Sequence, residues 1–276
     1  MRRRRRGAFF WLLVLALIVY AFVYSNTKVV LRGYDVASPD LPSAFSGTRI
    51  AVVADTHGKF DQRVIDSVYD ADPDLILLVG DIIDEASQVQ AAVEFAGKLA
   101  DRAPTYYVTG NHEWATGAAR DLMGALNTRG IYVADNKNAK LTRGEAEITI
   151  AGLADPAMHG DRSPAEALLA GTNDGDFVLL LSHRPYEYES YAALGADLIV
   201  SGHVHGGLIR LPGIGGLVGP GREFLPKYSG GVYSGADRSS LVVSRGLAGV
   251  KFNKSSFHWP RLFNPREVVV ITLKKG

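Results

Sequence analysis

The chain has 276 residues, of which 47% are apolar, and its formal net charge is +1. This length suits one large domain or one domain with an appendage, and the balanced charge lacks the bias that would call for a nucleic-acid partner. The absence of cysteine excludes disulfides, thiolate metal ligands and a thiol nucleophile, so any metal site must use histidine, carboxylate and amide ligands.

The N-terminal segment is predicted to cross a membrane. Residues 2–6 are all arginine, and residues 7–27 contain no charged side chain. The most apolar part, 9–24, approaches the ~20 residues that a membrane-spanning helix needs. Five arginines precede the segment and only Lys28 and Arg32 follow it closely, which predicts a cytoplasmic N-terminus. We therefore expect a single-pass signal anchor in the cell membrane, with the following domain outside the cytoplasm.

A cleaved signal peptide is the other interpretation of this segment. Cleavage would fall near Ser25, but the preceding Val23 and Tyr24 do not give the usual small-residue pattern. A retained anchor divides the chain into a basic tip and transmembrane helix, residues 1–27, and one further domain, residues 28–276. No linker divides the second part.

Five apolar runs predict buried strands, and polar residues follow each of them. The runs are short and nearly continuous, as expected of strands covered on both faces. They occupy residues 49–54, 75–79, 105–109, 177–181 and 198–200. Further strands are predicted at 28–32, 147–152, 240–244 and 267–273.

Helices are predicted between several of these strands. One follows residue 58 and is expected to bury Val64, Ile65, Val68 and Tyr69. Others are predicted at 86–99 and 118–127, and the glycine- and proline-rich stretch 206–221 is predicted to be a loop. Helices alternating with buried strands indicate an α/β layered fold, with a single parallel sheet as the simplest arrangement.

Two of the five strands end in a pair of candidate ligands two positions apart. Asp55 and His57 follow the first run, and His203 and His205 follow the last. On extended backbone, side chains two positions apart point to the same side, so we expect each pair to aim at one point. Nearby glycines allow the backbone to turn sharply there.

The other three strands end in single candidates. Asp81 follows the second run, Asn111 the third and His183 the fourth. His112, beside Asn111, is placed to face a substrate instead of a metal. Asp84 is either a second-shell partner that orients a metal ligand or the N-cap of the next helix.

In α/β folds, ligands bind at the C-terminal ends of strands, so these side chains are expected to lie together. The candidate metal ligands are Asp55, His57, Asp81, Asn111, His183, His203 and His205. Seven are too many for one ion and suit two ions that share a carboxylate, with Mn²⁺, Fe or Zn²⁺ favoured by the donor types. His159 is interpreted instead as an exposed loop residue, and His258 as a packing or surface residue.

Two ions ~3.5–4 Å apart hold both oxygens of an in-line displacement and lower the pKa of a bridging water. Hydrolysis of a phosphate ester is the reaction that suits them best. The sequence has no Gly-x-Ser-x-Gly nucleophile motif and no P-loop, which argues against serine hydrolase chemistry and against ATP use through that loop.

The polar blocks resemble those of the calcineurin-like metallophosphoesterases. That family's pattern is Asp-x-His, Gly-Asp-x-x-Asp, Gly-Asn-His-[Asp/Glu], a single His and Gly-His-x-His. All five blocks occur in order, at 55–57, 80–84, 110–113, 183 and 202–205.

Within this family, the chain looks most like the membrane-anchored bacterial phosphodiesterase branch. The resemblance lies in residues 40–42, in the two glycines at 206–207 and in residues 243–247. Leu208 stands where glutamine is usual, and Ala248 interrupts the usual Arg-Gly-Leu-Gly. Both departures concern substrate contacts more than metal ligands.

The resemblance implies a four-layer fold in which a β-sandwich is flanked by helices, which qualifies the single parallel sheet. It implies that Asp81 bridges the two ions and that His112 contacts the phosphoryl group, as general acid or charge stabiliser. It assigns Asp55, His57, Asp81 and His205 to one ion and Asp81, Asn111, His183 and His203 to the other. The implied reaction is hydrolysis of a phosphodiester or phosphomonoester by a metal-bridging hydroxide, with manganese favoured.

Other functions stay open. A pyrophosphatase acting on a lipid-linked or nucleotide-sugar substrate, such as a UDP-diacylglucosamine-like molecule, would use the same site, and the apolar stretch 208–225 would then meet an acyl chain. A non-catalytic scaffold would keep the fold for protein binding, although such relatives usually lose ligands that are intact here. A DNA nuclease would need a basic patch or stacking platform that the sequence lacks. The natural substrate and the oligomeric state are not predicted.

Overall fold

The computed structural model describes residues 2–156, 164–172, 175–235, 238–251 and 258–276. In these residues the α-helices are α1 Arg2–Thr27, α2 Gln62–Asp70, α3 Val89–Ala100, α4 Asn111–Ala115, α5 Ala119–Thr128, α6 Ala165–Leu169 and α7 Tyr188–Ala193. The first eight strands are β1 Val29–Ser38, β2 Arg49–Val53, β3 Leu75–Val79, β4 Thr105–Val108, β5 Tyr132–Val133, β6 Lys137–Arg143, β7 Ala146–Leu153 and β8 Val178–Ser182. The others are β9 Leu198–Ser201, β10 Arg210–Leu211, β11 Gly215–Gly216, β12 Gly231–Ser234, β13 Ser240–Val243, β14 Val250–Lys251, β15 His258–Trp259 and β16 Arg266–Lys275.

Two six-stranded sheets form the centre of the described domain, in the orders β1-β16-β2-β3-β4-β5 and β12-β13-β9-β8-β7-β6. Strands β2 to β5 are parallel, and so are β7, β8, β9 and β13, whereas β16 runs antiparallel to β2. The single parallel sheet expected from patterning is therefore wrong. A strand buried on both faces is a continuous apolar run whichever sheet it joins. The apolar pattern therefore does not show which strands belong to which of the two sheets.

Side-chain alternation along the strands builds the layers. In β2, Ile50 and Val52 lie in the core between the sheets together with Leu181 of β8, whereas Ala51 and Val53 belong to the core under α2, α3 and α5. Helices α6 and α7 cover the outer face of the second sheet. This helix–sheet–sheet–helix arrangement confirms the four-layer β-sandwich that the family resemblance implied.

Some local expectations are wrong. Tyr69 was expected on the buried face of α2, but it is 43% exposed, and its hydroxyl donates to the Lys98 carbonyl at the surface. The stretch predicted as one loop, 206–221, contains the short hairpin β10–β11. Edge strand β6 was not predicted because its polar, largely exposed residues give no apolar run.

Helix α1 joins the domain at its C-terminal end. The 19 residues Phe9–Thr27 are long and apolar enough to span a membrane, and most of that stretch is exposed. The Asn26 side chain makes two hydrogen bonds with the backbone of Arg261, at 2.8 and 3.0 Å. The backbone N–H of Asn264 donates to the Ser25 hydroxyl at 3.0 Å. These contacts hold the last turn of α1 against the domain.

Candidate metal centre

The predicted ligands gather at one edge of the β-sandwich. Asp55 follows β2, Asp81 follows β3 and Asn111 begins α4 just after β4, all from the first sheet. From the second sheet, His183 follows β8, and His203 and His205 follow β9. Because both sheets contribute, the site lies across the sandwich and depends on how the two sheets are packed.

The backbone at the ligands is not extended as the sequence reasoning assumed. Asp55, His57, Asp81, His203 and His205 all have positive φ, between 46° and 69°. Asp55 and His57 still reach one group of ligands, whereas His203 and His205 reach different groups. Left-handed backbone at non-glycine residues costs ~1–3 kcal/mol each and is concentrated at functional sites.

The ionisable ligands form two clusters that share Asp81. Within each cluster, donor atoms lie within 4.8 Å of one another, and the clusters are Asp55, His57, Asp81 and His205, and Asp81, His183 and His203. Asp81 Oδ2 lies 3.1 Å from His183 Nε2 and 3.8 Å from His57 Nε2. Two clusters that share a carboxylate are what two ions with a common ligand would need, and the assignment of each residue to an ion stays a prediction.

Asn111 faces the same site. Its side-chain oxygen is buried and has no hydrogen-bond partner among the described residues. Together with Asp81 and His203 it lines a cavity of about 260 Å³. Burying a carbonyl oxygen without a hydrogen-bond donor destabilises the fold, and a bound cation would satisfy this oxygen.

Three imidazoles have their orientation set by acceptors behind them. His183 Nδ1 lies 2.9 Å from Val79 O, and His205 Nδ1 lies 3.1 Å from Ala248 O. His57 Nδ1 lies 2.5 Å from Asp84 Oδ1. Because those acceptors require the proton on Nδ1, the Nε2 lone pair of each neutral ring faces the cluster, as in metal-ligating histidines.

The spacing of these rings favours a cation. The Nε2 atoms of His57 and His205 lie only 3.2 Å apart. Burial lowers the pKa of both rings, so two lone pairs face each other at neutral pH. A divalent ion between them would replace this repulsion with two bonds, so the donor set fits a metal.

Without a bound cation, protons compensate the negative charge of the carboxylates. Burial lowers the pKa of His183, but the charges of Asp81 and Asp55 outweigh it and raise that pKa to about 10. Burial raises the pKa of Asp55 to about 7. His183 Nε2 lies 3.1 Å from Asp81 Oδ2, and the hydrogen bond between them adds to the raised pKa of His183. A metal ion would displace these protons and take their place.

Asp84 connects a candidate ligand with the candidate acid. Its Oδ1 accepts from His57 and lies 2.7 Å from His112 Nδ1. The N-cap of the following turn is Glu85, so Asp84 is not the cap. Burial lowers the pKa of His112, but the hydrogen bond to Asp84 and the charge of Asp81 raise it above its ordinary value. His112 lines the cavity with a proton available on its ring.

Two residues of the site were not singled out from the sequence. Glu113 is fully buried and accepts backbone N–H groups from Gly110, Asp81, Ile82 and Ile83, which ties the turn after β3 to the turn after β4. It occupies the last position of the block 110–113, and the [Asp/Glu] of the family pattern at that position was the available signal.

Arg184 is the second such residue. It lines the cavity beside His203, and Asp155 accepts two hydrogen bonds from its guanidinium, at 2.7 and 3.0 Å. Its position directly after His183 was the available signal. Of the histidines interpreted as uninvolved, His159 lies outside the described residues, as does the side chain of His258.

Comparisons with known proteins find a family model and several relatives that match this chain. The profile of the Calcineurin-like phosphoesterase family matches residues 48–207. "Transmembrane protein with metallophosphoesterase domain" from Danio rerio is 29% identical over 209 residues, which cover 69% of this chain and 48% of that protein. The chain thus aligns with about half the length of this relative. "Phosphodiesterase YaeI" from Escherichia coli (strain K12) is 30% identical over 188 residues, which cover 66% of this chain and 67% of that protein.

Among solved structures, the phosphopantetheinyl hydrolase PptH from Mycobacterium tuberculosis aligns with a TM-score of 0.48 at 12% identity. The alignment covers 79% of this chain and 96% of that one.

Proposed function

The chain belongs to the calcineurin-like phosphoesterase family, and from this premise we propose that it hydrolyses phosphate diesters with two divalent metal ions. The observation that carries the proposal is the division of the ligands into two clusters that share Asp81. We assign Asp55, His57, Asp81 and His205 to one ion and Asp81, Asn111, His183 and His203 to the other. Such ions, when bound, supply a hydroxide nucleophile at neutral pH and neutralise phosphoryl oxygens, and the oxygen and imidazole donors favour Mn²⁺, Fe or Zn²⁺.

His112 is the proposed general acid. Asp84 accepts the Nδ1 proton of His112, so Nε2 is the atom that reaches the substrate. The hydrogen bond to Asp84 and the charge of Asp81 raise the pKa of His112 and so favour the protonated ring, whose Nε2–H donates to the leaving oxygen. Asp84 acts by orienting this ring.

Arg184 is the proposed phosphate-binding residue. Asp155 holds one edge of its guanidinium and fixes the plane of the group. A positioned arginine at the cavity suits a non-bridging phosphate oxygen, because its donors match the geometry of the anion. A diester is favoured as substrate because the E. coli relative is named a phosphodiesterase.

We also propose that α1 anchors the protein in the cell membrane with the catalytic domain outside the cytoplasm. The apolar stretch Phe9–Thr27 and the name of the Danio rerio relative support anchoring. The arginines at 2–6 support the orientation.

The test uses the full chain in detergent, stripped of metal with a chelator. Mn²⁺, Fe²⁺ or Zn²⁺ is added back singly, and turnover is measured on bis(p-nitrophenyl) phosphate and on p-nitrophenyl phosphate, with bound metal counted in parallel. We expect two ions per chain, turnover that depends on them and preference for the diester. Turnover that persists without metal, or a chain that binds no metal, would contradict the proposal.

A further inference from the structure

A second cavity lies between the membrane helix and the domain. Its volume is about 640 Å³, within the usual range of ligand pockets. We call it the juxtamembrane cavity; its walls are the C-terminal half of α1, the β10–β11 hairpin, Arg245, Phe263 and Pro265. Among the described residues, it shares none with the lining of the metal cavity, to which a later part of the same loop contributes Pro220 and Gly221.

The walls of the juxtamembrane cavity are mostly apolar. On the helix side, Leu17 and Tyr24 lie seven positions apart, which corresponds to about 10 Å along the helix axis. On the domain side, Leu211, Ile214 and Phe263 line the cavity and are 37%, 61% and 36% exposed. The apolar surface is therefore continuous with the membrane-spanning stretch of α1, along which an acyl chain would lie.

The polar end of the cavity carries an excess of positive charge. Arg210 and Arg245 both line it. Among the described residues, the carboxylate within 4 Å of Arg245 is that of Glu267, which lies 3.6 Å from Arg245 Nε and is already bound by Arg32 at 3.0 Å. The Nε atom of Arg245 is buried without a hydrogen-bond partner among the described residues. The single negative charge of Glu267 therefore does not neutralise the positive charges of both Arg32 and Arg245.

The two cavity arginines also affect each other. Burial and then the charge of Arg245 lower the pKa of Arg210. Arg210 is held in place by donating to Gly206 O at 2.9 Å and to Ser229 O at 3.0 Å. A second anion between the two guanidinium groups would relieve their repulsion and satisfy the buried donor.

We propose that the juxtamembrane cavity binds one anionic membrane phospholipid, with an acyl chain along α1 and its phosphate on Arg210 and Arg245. The proposal rests on the membrane anchoring proposed above and does not depend on hydrolysis. A zwitterionic lipid would leave the excess positive charge uncompensated, and a small soluble anion would leave the apolar walls empty. The lipid is a bound component beside the metal cavity and is not the substrate.

The test is native mass spectrometry of the full chain, delipidated in detergent and then mixed with equal amounts of phosphatidylglycerol and phosphatidylcholine. We expect the wild type to retain one phosphatidylglycerol per chain in preference to phosphatidylcholine. Arg245→Gln should lower phosphatidylglycerol retention roughly tenfold, the effect of one charge-assisted hydrogen bond. Arg32→Gln is the matched control, because Arg32 binds the same Glu267 but does not line the cavity.

A second pair of variants tests the apolar part. Ala21→Trp fills the cavity wall and should abolish retention, whereas Ala16→Trp places the same ring on an exposed position of α1 and should retain the lipid. The metal content of each variant reports that its domain is folded. Equal retention of the two lipids by the wild type, detergent in their place, or equal losses in Arg245→Gln and Arg32→Gln would overturn the proposal. Retained lipid selectivity without metal-dependent turnover would overturn the proposed function alone.

Discussion

Asp81 is the residue on which both candidate ion sites depend. Its Oδ2 faces His183 and His57, and its Oδ1 accepts the backbone N–H of His112 at 2.9 Å. The left-handed backbone of Asp81, with φ of 52°, is held by Glu113, which accepts its N–H at 3.0 Å. A single carboxylate therefore couples the two clusters to the turn that carries the proposed acid.

Replacement of Asn111 tests the second ion directly. Asn111→Ala removes a neutral ligand, so we expect bound metal to fall from two ions to one per chain and turnover to fall by about 10²-fold or more. Metal counting on the purified protein is the primary measurement. Asn127→Ala, on the exposed side of α5, is the control and should keep both ions. Two ions and normal turnover in Asn111→Ala would remove Asn111 from the ligand set.

At the scale of elements, the site depends on turns that bring strand ends close together. Gly80, with φ of +72°, lies where β3 turns into Asp81. A Cβ there would lie 2.5 Å from Nδ1 of the His183 ring and 2.8 Å from the Gly110 backbone, so the two sheets meet around a position with no room for a side chain.

Gly80→Ala should therefore destabilise the domain and displace His183. Left-handed strain costs ~1–2 kcal/mol, and crowding adds ~1–3 kcal/mol. Gly130→Ala separates the two effects, because Gly130 has φ of +83° but a Cβ added there would meet nothing within 4 Å. Thermal unfolding should show a clearly larger loss for Gly80→Ala, accompanied by lower metal content. Equal losses would mean that crowding at Gly80 is unimportant.

Asp197, directly before β9, makes the stability of the pairing of β9 with β8 depend on pH. Burial raises the pKa of Asp197 to about 6, and its Oδ2 accepts the Val178 N–H at 2.8 Å. The folded state therefore holds this proton more tightly than the unfolded state does. Its contribution to stability falls as pH rises from about 4 to about 6 and is constant above that.

Asp197→Asn should remove this slope. Because the group is only partly buried, we expect a difference of about 1 kcal/mol between pH 4 and pH 6.5. The measurement is the unfolding free energy of both proteins across that range, and their difference isolates this group from all other titrations. A difference that does not vary with pH would contradict the prediction.

At the scale of the whole molecule, one end of α1 is fixed to the domain and most of the stretch Phe9–Thr27 is exposed. The last turn is held through Asn26 and Ser25, and Asn264 also donates to the His205 carbonyl at 2.8 Å. The anchor and the candidate metal centre are thus connected by a short chain of hydrogen bonds. The domain would sit directly on the membrane surface.

The absence of cysteine allows the orientation to be measured with single introduced thiols. Lys98→Cys places a thiol on the exposed side of α3, and Arg4→Cys places one in the arginine run. A membrane-impermeant maleimide should label the first in intact cells and the second only after permeabilisation. The reverse labelling would place the catalytic domain in the cytoplasm.

Much of the central fold was predictable because its signals are local. Continuous apolar runs predicted β2, β3, β4, β8 and β9, and the polar residues after them predicted where ligands gather. Polar edge strand β6 and the short helices carry no such signal. The role of Glu113 was missed because it accepts from backbone groups some 30 positions away, which no local pattern encodes.

The sequence by itself determined the donor types, the apolar strands that place those donors at strand ends, and the apolar helix before the domain. These features follow from side-chain chemistry and short-range periodicity. The tertiary structure alone decided that arginines remote in sequence meet beside α1. The two sheets and the separate clusters of His203 and His205 were implied by the family resemblance, but local patterning did not give them. The reason is that burial and electrostatics depend on distances across the fold, which residues far apart in the chain acquire only when the sheets pack.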